Sequence, residues 1–296
     1  MELRVLRYFL MIAREENITH AAQLLHVTQP TLSRQIQDLE KELGAKLFQR
    51  SNHRIVLTPY GLLLRRRAQE IVDLADRTQR DFAAREDELT GEIAIGSGEA
   101  HSVSILAQIL ATYRQRYPKV SYRFYSGNAD AIKERIENGT LDVGLLLEPV
   151  DISRFAFLRV PLKEEWGVLT REDSPLGALE AVHPADLAQR PLMLPGRSLV
   201  QNELANWFGG SMEQLCIPIR YNLLYNAAML VKSGFGDALT IRLDCAYLGL
   251  RFVPLAPPIR FGSVLVWKKQ QVTSPAVEAW IEHAKRCLKN ISDDAE

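Results

Sequence analysis

The chain has 296 residues, of which 47% are hydrophobic and 24% are charged, and its 36 basic residues balance its 36 acidic ones. This length suits two or three domains, and the composition is that of an ordinary globular protein, which excludes a largely disordered chain. Because the net charge is zero, only local clusters of charge are informative about nucleic acid as a partner.

No segment has the pattern of an export signal or of a membrane span. The first apolar stretch, residues 5–13, is interrupted by Arg7, and no apolar run approaches the roughly 18 residues that a bilayer span needs. Cys216, Cys245 and Cys287 are odd in number and scattered, which fits neither a disulfide framework nor a zinc site. We expect a cytoplasmic protein that has no metal ion or other cofactor and does not contact a membrane.

The first residues predict two short helices that cross closely. Apolar residues recur at helical spacing over residues 3–15, and Asn17 ends this segment. Thr19 is predicted to cap a second helix, in which Ala21 and Ala22 are small enough to allow a close crossing.

A third helix is predicted to run from its N-cap Thr28 to about Leu43, with Gly44 at its end. Its apolar stripe leaves a polar face opposite. Arginine can form two hydrogen bonds to guanine, glutamine can do the same with adenine, and the threonine methyl group can contact thymine, so this face suits the major groove of DNA. The candidate DNA-contacting residues of this helix are Thr28, Gln29, Pro30, Thr31, Ser33, Arg34 and Gln37.

Two short strands, 47–48 and 55–57, follow around a polar turn and predict a wing. We expect Arg50, Asn52 and Arg54 of this wing to contact phosphate groups or a minor groove.

Positive charge is concentrated at this motif. Residues 28–67 include eight basic residues and three acidic ones, although the whole chain is neutral. A three-helix domain with solvated polar faces would give the same helical pattern; the wing and the charge cluster favour DNA binding.

Three ordered stretches carry a resemblance to a known family: AAQLLHVTQPTLSRQI at 21–36, LEKELGAKLFQR at 39–50 and LTPYG at 57–61. They resemble the N-terminal domain of LysR-type transcriptional regulators. The resemblance implies that the third helix enters the major groove of double-stranded DNA and that the wing flanks it.

Residues 58–89 predict one long linker helix, which Thr58 caps. Its apolar stripe is too thin to be stable alone, which favours pairing with a second copy. The predicted seam consists of Leu64, Ala68, Ile71, Ala75, Thr78 and Phe82. The resemblance implies a homodimer through this helix and, in many family members, a homotetramer. Two copies would match an interrupted palindrome. Arg65, Arg66 and Arg67 face either phosphate or solvent, and the sequence leaves both open.

Beyond Gly91 strands and helices alternate, which predicts parallel α/β sheets. We predict two lobes of the periplasmic-binding-protein-like type 2 fold: lobe I at about 91–162 and 267–296, and lobe II at about 163–266. The predicted organisation is a winged helix-turn-helix at 1–58, a linker helix at 59–89 and an effector-binding domain at 90–296.

Open α/β sheets bind ligands beyond the carboxyl ends of their strands. The candidate effector residues at these ends are Ser97, Gly98, Ser102, Asn128, Glu148, Arg197, Ser198 and Thr240. Ser97 and Ser102 lie near a predicted helix start, where backbone N–H groups favour anions, and Arg197 adds positive charge. We therefore predict a small carboxylate effector. The alternative use of these residue types, as turns and caps, stays open, and His101 beside them is either an effector contact or a surface residue.

We predict no catalytic residues. Gly96-Ser97-Gly98 lacks the spacing of a nucleophile elbow, and no phosphate-cradling or dinucleotide-binding glycine pattern is present. A second alternative, a solute-binding protein, disagrees with the first ninety residues. The sequence thus predicts a transcription regulator that binds DNA and a small effector, with RNA polymerase as a further candidate partner.

Overall fold

The computed structural model describes residues 1–51, 54–83, 89–210, 212, 214–269 and 273–293. The chain divides into two compact units, Met1–Ala83 and Ala84–Glu296. No helix among the described residues is long and apolar enough to cross a membrane.

The first unit begins with three helices, α1 (Leu3–Glu15), α2 (Ile18–Leu24) and α3 (Gln29–Leu43). Phe9, Ile12 and Leu32 are fully buried where the three helices meet. The small residues Ala21 and Ala22 of α2 are buried in the same core, as predicted.

The ends of α3 are those that the sequence predicts. The Thr28 hydroxyl accepts a hydrogen bond from the Thr31 N–H, and Gly44 adopts the left-handed conformation, with a φ of 65°, that glycine accommodates best. The predicted cap of α2 is wrong: the Asn17 side chain, rather than Thr19, accepts the hydrogen bond from the His20 N–H. Asn17 therefore both ends one helical segment and caps the next.

The predicted wing is present as an antiparallel pair, β1 (Phe48–Ser51) and β2 (Arg54–Leu57). Asn52 lies outside the described residues, as do the side chains of Arg50 and Arg54.

Helix α4 (Pro59–Ala83) follows the wing without a loop. The Thr58 hydroxyl caps it by accepting from the Gly61 N–H at 3.0 Å. Gly61 is required here, because a Cβ atom at this position would lie 2.1 Å from the carbonyl oxygen of Leu47.

The predicted dimer seam on α4 is wrong in part. Ala68 is fully buried in the core of its own unit, together with Val72, and Leu64 packs against the same core. Among the described side chains of α4, the exposed large apolar ones are Tyr60, Leu62, Leu63, Ile71 and Leu74. The side chain of Phe82, also in the predicted seam, lies outside the described residues. The helix packs on α1, so one apolar face serves its own subunit and a different one remains exposed.

The second unit is built on a nine-stranded sheet with the order β4-β3-β5-β11-β6-β9-β7-β8, and β10 pairs with β6. Its strands are β3 (Gly91–Ser97), β4 (Val120–Ser126), β5 (Val143–Leu147), β6 (Phe155–Arg171), β7 (Pro191–Pro195), β8 (Cys216–Tyr221), β9 (Asp237–Ile241), β10 (Leu250–Pro254) and β11 (Arg260–Lys268). Its helices are α5 (Val103–Arg116), α6 (Ala129–Glu137), α7 (Pro184–Leu187), α8 (Ser198–Trp207), α9 (Leu224–Lys232) and α10 (Pro275–Asp293).

The sheet forms two α/β lobes, as predicted. β3 is parallel to β4 and β5 in lobe I, and β7 is parallel to β8 and β9 in lobe II. Each lobe has its own buried core, around Trp280 in lobe I and around Trp166 in lobe II.

The long strand β6 passes from one lobe to the other. Its first part pairs with β11, and its last part pairs with β9 and β10. The sequence did not predict a single strand here, because Lys163, Glu164 and Glu165 interrupt the apolar pattern, and it did not predict β10. Residues 263–267 of β11 pair with β5 and so belong to lobe I, a few residues before the predicted boundary.

Candidate nucleic-acid interface and ligand cleft

The outer face of α3 presents the predicted polar residues. Leu32, Ile36 and Leu39 are buried on the inner face. Thr28, Gln29, Pro30, Thr31, Arg34 and Gln37 are exposed, and Ser33 is half-buried. The helix therefore has its core-facing stripe and its polar face in the arrangement that base-edge contacts require.

Hydrogen bonds within α3 order two of these residues. The amide nitrogen of Gln29 donates to the hydroxyl of Ser33 at 2.8 Å. The Arg34 side chain is 84% exposed, and its Nε lies 4.0 Å from the carboxylate of Asp38, which is too long for a hydrogen bond. The donors of this exposed guanidinium group are therefore available for a base or a phosphate.

Glu40 joins the end of α3 to the start of the wing. Its carboxylate, only 8% exposed, accepts hydrogen bonds from the Nζ of Lys46 at 2.6 Å, the Leu47 N–H at 2.9 Å and the Phe48 N–H at 3.4 Å. Burial by itself would raise the pKa of Glu40, but these three donors outweigh it and lower the pKa below the ordinary value of 4.5. The sequence gives no signal for this role of Glu40, because a glutamate near the end of an exposed helix is ordinarily solvated.

The second unit contains a cleft with a volume of about 130 Å³. Its lining comes from both lobes: Gly98, Glu99, Gly127, Asn128, Ala129, Leu145, Leu146 and Leu147 of lobe I, and Trp166, Pro195, Gly196, Arg197, Val200, Tyr221, Asn222, Leu224, Thr240 and Ile241 of lobe II. The cleft lies beyond the carboxyl ends of β3, β5, β7 and β9, where open α/β sheets bind ligands.

Arg197 spans the two lobes at the cleft. Its Nη1 donates to the carbonyl oxygen of Leu147 at 3.1 Å and its Nη2 to that of Pro149 at 2.9 Å. Its Nε lies 3.8 Å from the carboxylate of Asp130, which is too long for a hydrogen bond. Burial lowers the pKa of Arg197, and the charge of Asp130 offsets part of this effect.

The structure brings together only half of the predicted effector residues. Gly98, Asn128, Arg197 and Thr240 line the cleft, whereas Ser97, Ser102, Glu148 and Ser198 do not. The hydroxyl of Ser97 donates to the carbonyl oxygen of Gly98, and the carboxylate of Glu148 accepts from Arg159. Ser198 is exposed at the start of α8.

The predicted anion site at the start of α5 needs correction, because a side chain of the protein already fills it. Glu164 of β6 is fully buried, and its carboxylate accepts from the His101 N–H and the Ser102 N–H, each at 2.9 Å. The hydroxyl of Ser263 donates to the same carboxylate at 3.2 Å and lies 3.0 Å from that of Ser102. The helix start does favour a negative charge, but the chain supplies it.

The loop before α5 also contacts lobe II. The carboxylate of Glu99 accepts a hydrogen bond from the Leu224 N–H at the start of α9. The Nδ1 of His101 lies 2.5 Å from the carboxylate of Asp244. His101 therefore makes a contact between the lobes. The sequence had suggested either an effector contact or a surface residue, and this third role was not among the alternatives.

Several cleft residues gave no signal in the sequence. Glu99, Trp166, Tyr221 and Asn222 line the cleft because the two lobes fold over one another. Trp166 lies in β6, which the sequence did not predict as one strand because charged residues precede Trp166. Tyr221 is the last residue of β8, whose apolar pattern is weak. Among the described residues, no cluster of histidine, cysteine, aspartate or glutamate is suited to hold a metal ion.

Two family profiles match the chain. The one described as "Bacterial regulatory helix-turn-helix protein, lysR family" matches residues 3–62, and the one described as "LysR substrate binding domain" matches residues 86–288. The curated relatives include the uncharacterised HTH-type transcriptional regulator YnfL of Escherichia coli (strain K12). It is 29% identical, over 98% of this chain and 99% of its own length. The HTH-type transcriptional regulator BudR of Raoultella terrigena is 31% identical over 66% of this chain and 68% of its own.

Solved structures agree in fold. Full-length CbnR complexed with its target DNA matches 97% of this chain and 100% of its own, with a TM-score of 0.74 and 21% identity. Full-length BenM matches 100% of this chain and 98% of its own, with a TM-score of 0.56 and 25% identity. Because both profiles and both halves of the fold agree, the chain belongs to the LysR family of DNA-binding transcription regulators, which are not enzymes.

Proposed function

We propose that this regulator binds promoter DNA that contains an interrupted palindrome, through α3 and the wing of two paired subunits. The observation that carries this proposal is the exposed polar face of α3, backed by a buried apolar stripe. The complex of CbnR with its target DNA supports it by analogy of fold. The DNA-contacting residues that we propose remain Thr28, Gln29, Pro30, Thr31, Ser33, Arg34, Gln37, Arg50, Asn52 and Arg54.

The proposed assembly is a homodimer through α4 that associates further into a homotetramer. The exposed apolar row on α4 supports pairing, since such a row is stable only when it is covered. The place of action is the cytoplasm, where a promoter is accessible, and RNA polymerase is the proposed further partner at that promoter.

We further propose that a small carboxylate is the effector and that it binds in the cleft. Residues at the starts of two helices line the cleft: Asn128 and Ala129 at α6, and Arg197 before α8. The start of α9 is left out, because the carboxylate of Glu99 already accepts from its Leu224 N–H. Helix starts and a buried guanidinium group both favour an anion. Gly98, Asn128, Arg197 and Thr240 are the proposed effector residues, and occupancy of the cleft shifts the equilibrium between states that differ in DNA affinity.

The substitution Arg34→Ala tests the DNA-binding proposal. In a gel-shift titration with the DNA upstream of the regulator's own gene, we expect a loss of affinity of about 10- to 100-fold, because one arginine–base contact is lost. Wild-type binding is expected to weaken steeply with salt.

Arg114→Ala is the matched control, since Arg114 is an exposed arginine on α5 of the other unit. It should leave DNA affinity unchanged. Equal behaviour of the two variants, or wild-type binding without any preference among duplexes, would overturn the proposed role of α3.

A further inference from the structure

A histidine–carboxylate contact joins the two lobes. His101 lies in the loop between β3 and α5 of lobe I, and Asp244 lies in the loop between β9 and β10 of lobe II. The Nδ1 of His101 lies 2.5 Å from the carboxylate of Asp244. This Nδ1 atom is buried and forms no hydrogen bond to any other group among the described residues. The carboxylate of Asp244 is therefore the acceptor within its reach.

Backbone contacts with β6 hold both ends of this pair. The carboxylate of Glu164 accepts from the His101 N–H at 2.9 Å. The Arg242 N–H, just before Asp244 in the chain, donates to the carbonyl oxygen of Glu165 at 2.8 Å. Because the backbone is fixed on both sides, the pair costs mainly side-chain freedom when it forms.

The strength of this contact depends on the protons of the imidazole ring. In a neutral ring one nitrogen donates and the other accepts, and an accepting Nδ1 would point its lone pair at the carboxylate. A ring that carries a second proton donates from both nitrogens, and its positive charge strengthens the hydrogen bond to a carboxylate. Histidine side chains gain this charge between about pH 5 and pH 8. The attraction between His101 and Asp244 therefore increases as the pH falls through this range.

The other acidic groups near His101 have the same sign as Asp244. Glu164 of β6 accepts from its backbone N–H, and Glu99 precedes it in the same loop. Their negative charges favour a charged imidazole ring over a neutral one.

The loop that carries Asp244 adds no unbalanced positive charge. Its cation, Arg242, lies 3.4 Å from the carboxylate of Glu165. Burial raises the pKa of Tyr247 in the same loop, so its hydroxyl is neutral throughout the range in which histidine titrates.

The other described contacts between the lobes keep their charge near neutral pH. The carboxylate of Glu99 accepts from the Leu224 N–H, and the guanidinium group of Arg197 donates to two carbonyl groups after β5. Carboxyl groups ordinarily lose their proton near about pH 4, and arginine stays charged in proteins. Among these contacts, His101 therefore contributes the group whose charge changes near neutral pH.

We propose that His101 and Asp244 form a proton-dependent lobe latch, a contact that holds the two lobes together more firmly at acidic than at alkaline pH. The lobe latch is a property of the second unit and needs no bound effector. Its consequence for DNA affinity rests on the proposed function, in which the state of the lobes is linked to DNA binding.

Hydrogen exchange of the Leu224 amide in the full-length protein tests the lobe latch. This N–H is the first of α9, so it has no acceptor within the helix, and Glu99 of the other lobe protects it. Separation of the lobes exposes it. Overlapping peptides in exchange mass spectrometry resolve this amide, and wild type is compared with Asp244→Asn at about pH 5.5 and again at about pH 8. Each comparison is made at one pH, so the intrinsic pH dependence of exchange cancels.

At the acidic pH we expect the Leu224 amide to exchange about 1.5- to 5-fold faster in Asp244→Asn than in wild type. The side chains of His101 and Asp244 are 36% and 59% exposed, so the strength of an ordinary exposed ion pair applies. At the alkaline pH the two proteins should exchange alike, because a neutral ring has little preference for a carboxylate over an amide.

The variant His101→Gln identifies the titrating group. In this background Asp244→Asn should have no effect on the Leu224 amide at either pH, as a double-mutant cycle requires when the two residues act together. An effect of the Cys245 thiol, next to Asp244 in the chain, would persist without His101 and is recognised in this way.

His20→Gln is the matched control. The Nδ1 of His20 lies 3.0 Å from the carboxylate of Glu15, a similar pair in the first unit, and its loss should leave the Leu224 amide unchanged at both pH values.

The outcomes are distinct from those of the DNA experiment on Arg34. A difference between wild type and Asp244→Asn that is equal at both pH values, or that persists in His101→Gln, would overturn the proton dependence. No difference at either pH would overturn the lobe latch itself. Asp244 is exposed on a loop, so its substitution is compatible with folding. The comparison of wild type with Asp244→Asn therefore decides the matter even if His101→Gln does not fold.

Discussion

At the scale of single residues, the carboxylate of Glu164 occupies the anion site at the start of α5 that the sequence assigned to a ligand. The carboxylate is fully buried at the start of α5 and accepts two backbone N–H groups and one hydroxyl. It also ties the strand that crosses between the lobes to the loop that lines the cleft. The anion-binding capacity of this helix start is thereby used for folding rather than for an effector.

Glu164→Ala should lower the free energy of unfolding of the second unit by about 2–4 kcal/mol, because two buried N–H groups lose their acceptor. Sulfate should restore part of this loss, since it can occupy the vacated helix start. The measurement is the thermal unfolding midpoint in chloride and in sulfate at equal ionic strength.

Glu165→Ala is the control for this experiment. Glu165 is the next residue on the same strand, but its carboxylate only approaches Arg242 at 3.4 Å and Arg260 at 3.8 Å near the surface. Its loss should cost less than about 1 kcal/mol. If sulfate stabilises Glu164→Ala no more than it stabilises wild type, the helix start is not the site of the effect.

Glu40 makes the wing sensitive to pH. Its pKa is lowered in the folded state, so its contribution to stability is complete above the ordinary value of 4.5 and is lost as the pH falls through the folded pKa. Glu40→Gln should therefore destabilise the attachment of the wing by about 1.5–3 kcal/mol at pH 7, and wild type and variant should converge as the pH falls through the lowered pKa of Glu40 in the folded state.

Hydrogen exchange of the Leu47 and Phe48 amides, at several pH values, measures this difference directly. Glu42→Gln is the control, because Glu42 is exposed and pairs with the N-terminal amino group at 2.5 Å rather than with the wing. Faster exchange of both amides in the Glu40 variant alone is the expected result. A difference that does not shrink as the pH falls through the lowered pKa of Glu40 would show that its charge is not responsible.

At the scale of elements, α4 packs against α1 of its own unit on one face and exposes a second apolar face, which we propose pairs with another subunit. Ala68 and Val72 face α1 in their own unit, and Ile71 and Leu74 are 41% and 44% exposed. A heptad pattern in the sequence does not distinguish these two faces, because both are apolar and lie next to each other on the helix.

Ile71→Glu should dissociate the proposed dimer, because a charge placed in an apolar contact loses its hydration without gaining a partner. Sedimentation velocity at micromolar concentration would report a monomer in place of the wild-type assembly. Gln79→Glu adds the same charge at an exposed polar position of the same helix and should leave the assembly intact. An unchanged assembly in Ile71→Glu would place the interface elsewhere.

At the scale of the second unit and its two lobes, polar contacts across the cleft join lobe I to lobe II. Arg197 reaches the carbonyl groups after β5, and Glu99 accepts from the Leu224 N–H at the start of α9. These contacts cross the cleft in which we propose that the effector binds. We therefore expect the proposed binding of an effector to be coupled to the separation of the lobes.

Glu99→Ala should increase hydrogen exchange at the start of α9 by about 3- to 30-fold, as expected when a helix loses an N-terminal cap worth about 0.5–2 kcal/mol. Exchange mass spectrometry of the peptide that contains residues 224–228 measures this. Glu203→Ala, an exposed position on α8, is the control and should leave that peptide unchanged. Unchanged exchange in Glu99→Ala would show that the contact between the lobes is not maintained in solution.

The sequence by itself determined the elements whose causes are local. Thr28 and Gly44 set the ends of α3, and Thr58 caps the start of α4. The alternation of strands and helices predicts the α/β lobes. Capping, helical periodicity and turn chemistry act within a few residues, so they can be recognised in a single sequence. The polar face of α3 could be predicted for the same reason.

Only the tertiary structure decided which of these residues share a site. Glu164 and Ser102 are 62 residues apart in the sequence, so the hydrogen bond between them forms only when the chain is folded. Trp166 and Arg197 line one cleft because β6, which carries Trp166, pairs with β9, and β9 pairs in turn with β7, which ends just before Arg197. Long-range burial selects partners that no local pattern encodes, and for that reason the sequence predicted a cleft but not which side chains line it.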